Sequence, residues 1–169
     1  MTLPAPRRTV SVSFATTAEA HLDDVYGYLV YLTRDRTLAE DLTAETFEKA
    51  LRIWRRFDPR RASARTWLCQ IARTTALDWF RAEDRRRRRE ESVALPDVTE
   101  GDLPEGLSPE LAAALAALSA GEREVIALRI LLELDSDEAA RVLGISPTAV
   151  STRLSRALKK LEERMTVHV

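Results

Sequence analysis

Residues 135–164 constrain the fold most, because the signals for a tight pair of helices fall there in order. Asp135 can accept the amide hydrogen of Glu138 while that glutamate reaches back, which starts a helix carrying Ala139, Ala140, Val142 and Leu143. Gly144 stands where a left-handed residue ends it, and Ile145 plugs the turn. Ser146 caps a second helix, with Pro147 at the first position, where a missing N–H is harmless. Val150, Leu154, Ala157, Leu158 and Leu161 make its expected buried stripe, leaving Thr148, Ser151, Thr152, Ser155, Arg156, Lys159 and Lys160 outward. Short hydroxyls followed by basic groups suit a helix that meets base edges and phosphates in a major groove. An ordinary helical hairpin with a soluble face is the alternative; two caps, a glycine turn and a basic face in one segment favour the DNA-binding helix-turn-helix.

A net charge of −1 over 169 residues hides strong segregation. Residues 1–48 carry 4 basic and 8 acidic side chains, net −4, and residues 49–89 carry 14 and 4, net +10. Residues 90–138 carry 2 and 13, net −11, and residues 139–169 carry 6 and 2, net +4. A phosphate backbone responds to potential within roughly 8–10 Å, so two basic blocks can bind DNA inside a nearly neutral protein. Cys69 is the one cysteine, and His21 and His168 are too far apart for metal-ligand spacing, so neither a metal nor any other cofactor is expected. No signal-peptide run and no stretch of about 18 uncharged apolar residues is visible, which predicts a cytoplasmic protein without membrane insertion.

The fold class reads as all-α, in two small helical domains. Residues 1–16 are Pro-, Thr- and Ser-rich and read as a loose tail, with Val10, Val12 and Phe14 alternating as in a short extended segment. Val25, Leu29 and Leu32 predict a first helix from about Thr17 to Arg34. Thr37, with Glu40 three residues on, can cap a second that runs to about Arg56 through Leu38, Leu42, Phe47, Leu51 and Trp54. Phe57-Asp58-Pro59 ends it, and DPRRASA (58–64) reads as a basic loop. Trp67, Leu68, Ile71, Ala72, Ala76, Leu77 and Phe80 predict a third helix from about Ala64 to Arg88. The first domain thus spans 17–89. Residues 90–107 hold six acids, two prolines, two glycines and no base, which suits an acidic interdomain linker. The second domain, 108–165, starts at Ser108-Pro109-Glu110, restarts at Ser119 with Glu122, and ends in the helix-turn-helix; 166–169 is a tail.

Four stretches, AEDLTAETFEKAL (39–51), WLCQIARTTALDWFR (67–81), LAALSAGEREVIALR (115–129) and DSDEAARVLGISPTAVSTRLSRALKKL (135–161), stand in this order around the acidic linker. In them the chain resembles the extracytoplasmic-function sigma factors of bacterial RNA polymerase, from about His21 to Arg164. The resemblance implies a dissociable, non-catalytic initiation subunit with a sigma2-like bundle and a sigma4-like helix-turn-helix domain. The bundle would bind the polymerase β′ coiled coil and open the −10 element; the second domain would bind the β flap and read the −35 element. Carried over by position, polymerase binding falls on Asp41, Leu42, Glu45 and Phe47. The −10 contacts fall on the 58–65 loop, with Asp58, Arg60, Arg61 and Arg65, and on Asp78, Arg81 and Arg85. The −35 contacts fall on Thr148, Ser151, Thr152, Arg153, Ser155, Arg156 and Lys159. Trp54 and Trp67 read as core, and Phe47, an aromatic on a helical stripe, as core more readily than interface. The family's linker threads the RNA-exit path, so residues 90–107 read equally as an acidic mimic of nucleic acid there and as a soluble tether. The family also implies an anti-sigma factor that masks the faces around Asp41–Leu51 and Leu128–Leu134 and can hold the protein near the membrane. No homo-oligomer and no appended C-terminal sensory domain are expected.

The sequence departs from the family's common residues at Ala44, often glutamine, and Thr74, often asparagine. In the DNA-reading helix Ala149 replaces a common threonine and Ser151 a common basic residue. A stand-alone repressor or activator is the main rival, but such proteins usually dimerise on paired half-sites, and no sensor or dimerisation segment is evident. An enzyme would need a nucleophile–base set, a phosphate loop or a metal set, none of which stands out in the sequence.

Overall fold

A computed structural model describes residues 13–90 and 105–166, and every regular element among them is helical. The Val10–Val12 alternation, most of the acidic linker and the last three residues lie outside the described residues. Helix α1 spans Phe14–Thr33, so it starts inside the segment expected to be tail. Ser13 explains the early start: its hydroxyl accepts the Thr16 N–H at 3.2 Å and caps the helix. At the other end Arg34 adopts a left-handed conformation (φ 55°) and its N–H bonds Val30 O at 2.8 Å.

Helix α2, Arg36–Ile53, corrects the expected cap at Thr37. The left-handed Arg34 leaves Asp35 extended, and the Asp35 carboxylate accepts the Leu38 N–H at 2.9 Å, so Thr37 is already helical. One tight 3-10 turn, Trp54–Arg56, follows before Phe57-Asp58-Pro59. Ser63 then caps α3, Ala64–Glu90, through the Thr66 N–H at 3.1 Å. At 27 residues α3 is about 40 Å long.

The second bundle follows the caps read from the sequence. Helix α4, Pro109–Ala116, is capped by Ser108, and α5, Ala120–Ile126, by the Ser119/Glu122 capping box. A wide π-type turn, Ala127–Leu131, continues α5, closed by the Leu132 N–H on Ala127 O at 2.9 Å. That turn buries Leu128, Leu132 and Leu134 while Ile130 (55% exposed) and Leu131 face solvent. Helix α6, Ser136–Leu143, has the Asp135/Glu138 capping box and ends at Gly144, whose φ of 66° is the left-handed region that glycine enters without strain. Helix α7, Pro147–Thr166, is capped by the Ser146 hydroxyl on the Ala149 N–H at 3.1 Å.

The two bundles pack against one another, α3 along α6 and α1 along α5, and their buried residues form one continuous cluster. No helix among the described residues is long and apolar enough to cross a membrane.

Candidate nucleic-acid interfaces

On α7 the expected face is largely presented outward. Thr148, Ser151, Thr152, Ser155, Arg156 and Lys159 are exposed, while Val150 and Ala157 are buried and Leu154 and Leu161 half-buried. Leu158 departs from the stripe: it is 42% exposed, because Ala157 takes the inward position and turns its neighbour out. Arg153 is half-buried, its guanidinium lying over Gly121 at the start of α5. The starts of α5 and α7 therefore open onto one cleft lined by Ser119, Gly121, Ser146, Thr152, Arg153 and Arg156. The carboxylate of Glu122 lines the same cleft, so the two guanidiniums and the helix N-termini there already face one negative charge. Lys160 is not a spare phosphate contact in this state, because its ammonium pairs with Glu122 at 2.5 Å. That pair and the Ser119 backbone N–H hold the Glu122 carboxyl below its usual range. Ser151 spends its hydroxyl proton on Pro147 O at 3.2 Å, which leaves only acceptor capacity for a base edge.

In the first bundle the predicted residues form a track and not one pocket. Arg60 donates from Nε and Nη2 to the two oxygens of Asp58, both at 3.0 Å, and its backbone N–H bonds the same carboxylate. These bonds hold the Asp58 carboxyl below its ordinary value and the Arg60 guanidinium above its own. Arg61 is exposed beside them, and Arg65 lies 3.8 Å from Asp24. Asp78, Arg81 and Arg85 lie on one exposed face of α3, with Arg81 donating to Asp78 at 3.2 Å. Arg65 and Arg85 are twenty residues apart on that helix, roughly 30 Å. Such a length suits a nucleic-acid backbone laid along the helix, with the loop at one end.

Helix α2 divides the residues expected to bind polymerase. Asp41 and Glu45 are exposed one turn apart, Glu45 pairing with Lys49 at 2.7 Å. Leu42 does not reach the surface: at 1% exposure it fills the core, because it lies on the α2 face turned into the bundle. Phe47 is half-buried edge-on to Phe14, with ring centroids 6.5 Å apart, and lines an apolar cleft between α1 and α2 with Leu22 and Tyr26. Ala44 lines the same cleft, and Glu19, Asp23 and Glu40 give it an acidic rim.

Trp54 and Trp67 sit in a half-buried aromatic cluster with Phe14 and Phe57, ring centroids 5.1–5.8 Å apart. Trp67 packs against the core, whereas Trp54 lies at its edge, stacked on Phe57, and the cluster anchors the base of the 58–63 loop. Thr74 is exposed and donates its hydroxyl to Gln70 O at 2.9 Å, so it presents no amide. The polar groups that join the two bundles were missed altogether. Glu124 and Arg123 on α5, and Glu138 on α6, reach across to Tyr28, Tyr31, Ser63, Thr66 and Arg73. The one signal in the sequence is that Glu124 shares the apolar phase of Val125 and Leu128.

Residues 17–86 match the family described as Sigma-70 region 2, and residues 108–161 that described as Sigma-70, region 4. The chain is 32% identical over 163 residues to the ECF RNA polymerase sigma factor SigX of Bacillus subtilis, covering 90% of this chain and 84% of that one. It is 34% identical over 142 residues to the ECF RNA polymerase sigma factor SigC of Mycobacterium tuberculosis, covering 82% and 76%. Among solved structures it is similar to the sigma factor RpoE of Bartonella quintana in complex with the anti-sigma factor NepR. That match has a TM-score of 0.76 and 25% identity, over 91% of this chain and 97% of that one. CnrH, solved in complex with the cytosolic domain of CnrY, gives a TM-score of 0.66 and 26% identity over 92% and 89%.

Proposed function

Because the chain belongs to the extracytoplasmic-function (ECF) sigma factors of the sigma-70 family, we propose a division of labour among its exposed faces. As a sigma factor it is an initiation subunit that directs core RNA polymerase to promoters. The α2 face with Asp41 and Glu45, beside the cleft that holds Phe47, docks on the β′ coiled coil; Leu42 supports that face from below. The α3 track from Arg60 and Arg61 through Asp78, Arg81 and Arg85 follows the −10 strand. Unstacking a base costs a few kcal/mol, which backbone contacts along such a track can offset. The α7 face reads the −35 element, with Thr148, Ser151, Thr152 and Ser155 at base edges and Arg153, Arg156 and Lys159 at phosphates. The second bundle meets the β flap. Chemistry belongs to the polymerase, and this chain supplies positioning and melting.

One observation carries the reading: two separate basic surfaces, on α3 and α7, point outward from one chain of near-zero net charge. Run-off transcription with purified core polymerase tests it. The expected result is a transcript of defined start that requires both core and this chain, lost when Arg81 and Arg85 are replaced by glutamate. Promoter binding without core, and no stimulation with it, would support a stand-alone repressor or activator.

An anti-sigma factor completes the proposal, supported by the RpoE–NepR and CnrH–CnrY complexes. Its targets here are the apolar α1–α2 cleft and the outward Ile130 and Leu131. The chain then works in the cytoplasm, held near the membrane where that partner is membrane-bound. Affinity capture at native expression is expected to recover an inhibitory protein that Ile130→Ser and Leu131→Ser together release. Recovery of core polymerase alone contradicts it.

A further inference from the structure

The cleft between α1 and α2 leaves apolar surface uncovered. Leu22 is 48% exposed, Tyr26 and Phe47 are half-buried beside it, and Ala44 is exposed on the α2 wall. Glu19, Asp23 and Glu40, all exposed, stand along its rim. Several neighbouring acids already have basic partners: Asp24 faces His21 and Arg65, Glu45 pairs with Lys49, and Glu48 with Arg52. Among the described residues no ion pair engages the three rim carboxylates. An extended apolar segment that carries positive charge would match such a cleft on both counts.

The chain carries a segment of that kind next to the cleft. Residues 1–18 contain no acid, and their two bases are Arg7 and Arg8, set between Leu3 and the pair Val10 and Val12. This segment joins the described structure at Ser13, and the next residue, Phe14, lies against Phe47 at one end of the cleft, ring centroids 6.5 Å apart. From Ser13 to Asp23 the helix rises about 15 Å. The five residues from Arg8 to Ser13 span up to about 17 Å when extended. A chain that doubles back along α1 therefore brings both arginines level with Glu19 and Asp23. Pro4 and Pro6 favour an extended backbone and lower the cost of ordering it. So short a tether holds the segment at about millimolar effective concentration, so that even a contact of about millimolar strength is formed half of the time. We propose that residues 1–12 dock in the α1–α2 cleft with Arg7 and Arg8 on its acidic rim. The consequence rests on the sigma-factor reading: the docked segment competes with core polymerase, because Ala44 in the cleft lies between Asp41 and Glu45 on α2. Polymerase binds the undocked fraction, so its apparent affinity is lowered accordingly.

The test places a nitroxide at Thr2→Cys in the full chain and reads paramagnetic broadening of backbone amide signals. Cys69 is buried, with its thiol pushed up to about 12, and does not compete for the label. At low salt the amides of Leu22 and Ala44 are expected to lose at least half of their intensity, while those of α7 keep theirs. Arg7→Glu with Arg8→Glu abolishes the loss, as does about 0.5 M salt, which screens exposed charges. Glu19→Arg with Asp23→Arg abolishes it too, and the four substitutions together restore it, an outcome that a segment merely wandering near the cleft would not give. In unlabelled chains, deletion of residues 1–12 and the Arg7→Glu, Arg8→Glu pair each tighten apparent core-polymerase affinity threefold or more. Broadening that ignores both charge reversals, no restoration when they are combined, or docking without any tightening on deletion would each overturn the proposal. A wild-type chain that never binds polymerase overturns the functional reading instead, and the broadening in the free chain still decides the docking.

Discussion

Asp41 and Leu42 are adjacent on α2 and answer to different physics. The leucine is enclosed by the bundle, so Leu42→Ala is expected to lower stability by about 2–5 kcal/mol in chemical denaturation. Asp41→Lys with Glu45→Lys leaves stability within about 0.5 kcal/mol and weakens core-polymerase binding. Glu122 adds a pH signature. Its carboxyl is held low by Lys160 and by the Ser119 N–H, so its contribution is present above the ordinary value of 4.5 and is lost as pH falls through the depressed folded value. The melting temperature of the parent is therefore expected to fall more steeply below pH 4.5 than that of Glu122→Gln; parallel curves would show that the pair contributes nothing. Residue roles were legible in the sequence where local spacing decides them, as for Asp135, Gly144 and the exposed α7 hydroxyls. They were not legible where the partner comes from a distant element. Nothing near Glu124 in sequence announces Tyr28 or Arg73, 96 and 51 positions away.

Helices end where backbone groups find partners, and this governed which boundaries could be anticipated. Ser108, Ser119 and Asp135 cap as their spacing indicates. Thr37 was displaced because Arg34 is left-handed, a conformation that arginine's chemistry does not suggest, and Asp35 became the extended residue in its place. The helix-turn-helix depends on the equivalent conformation at Gly144. Gly144→Ala places a Cβ at φ 66° and is expected to cost about 1–2 kcal/mol, with a larger loss of −35 binding than of core-polymerase binding, because the turn aims α7. Equal losses of both would mean that the turn merely stabilises the domain. The π-type turn after α5 had no anticipation in periodicity, yet it decides that Ile130 and Leu131 face outward while Leu132 and Leu134 stay in the core.

Taken whole, the molecule is two helical bundles with acidic and basic residues segregated along the sequence, packed on each other through a continuous core that contains buried polar bonds. Charge segregation was visible in the sequence; the closure was not, since a linker of six acids and two prolines reads as a tether whichever way the domains rest. The central claim is that α3 and α7 read two different promoter elements from one chain. Transcription from a promoter library randomised over both elements, with start sites mapped, measures this directly. The expected result is two preferred blocks upstream of the start; Ser151→Arg rewrites only the distal block, and Arg81→Glu with Arg85→Glu degrades only the proximal one. A single block, or a Ser151→Arg profile altered at the proximal block alone, would contradict the assignment of the two faces.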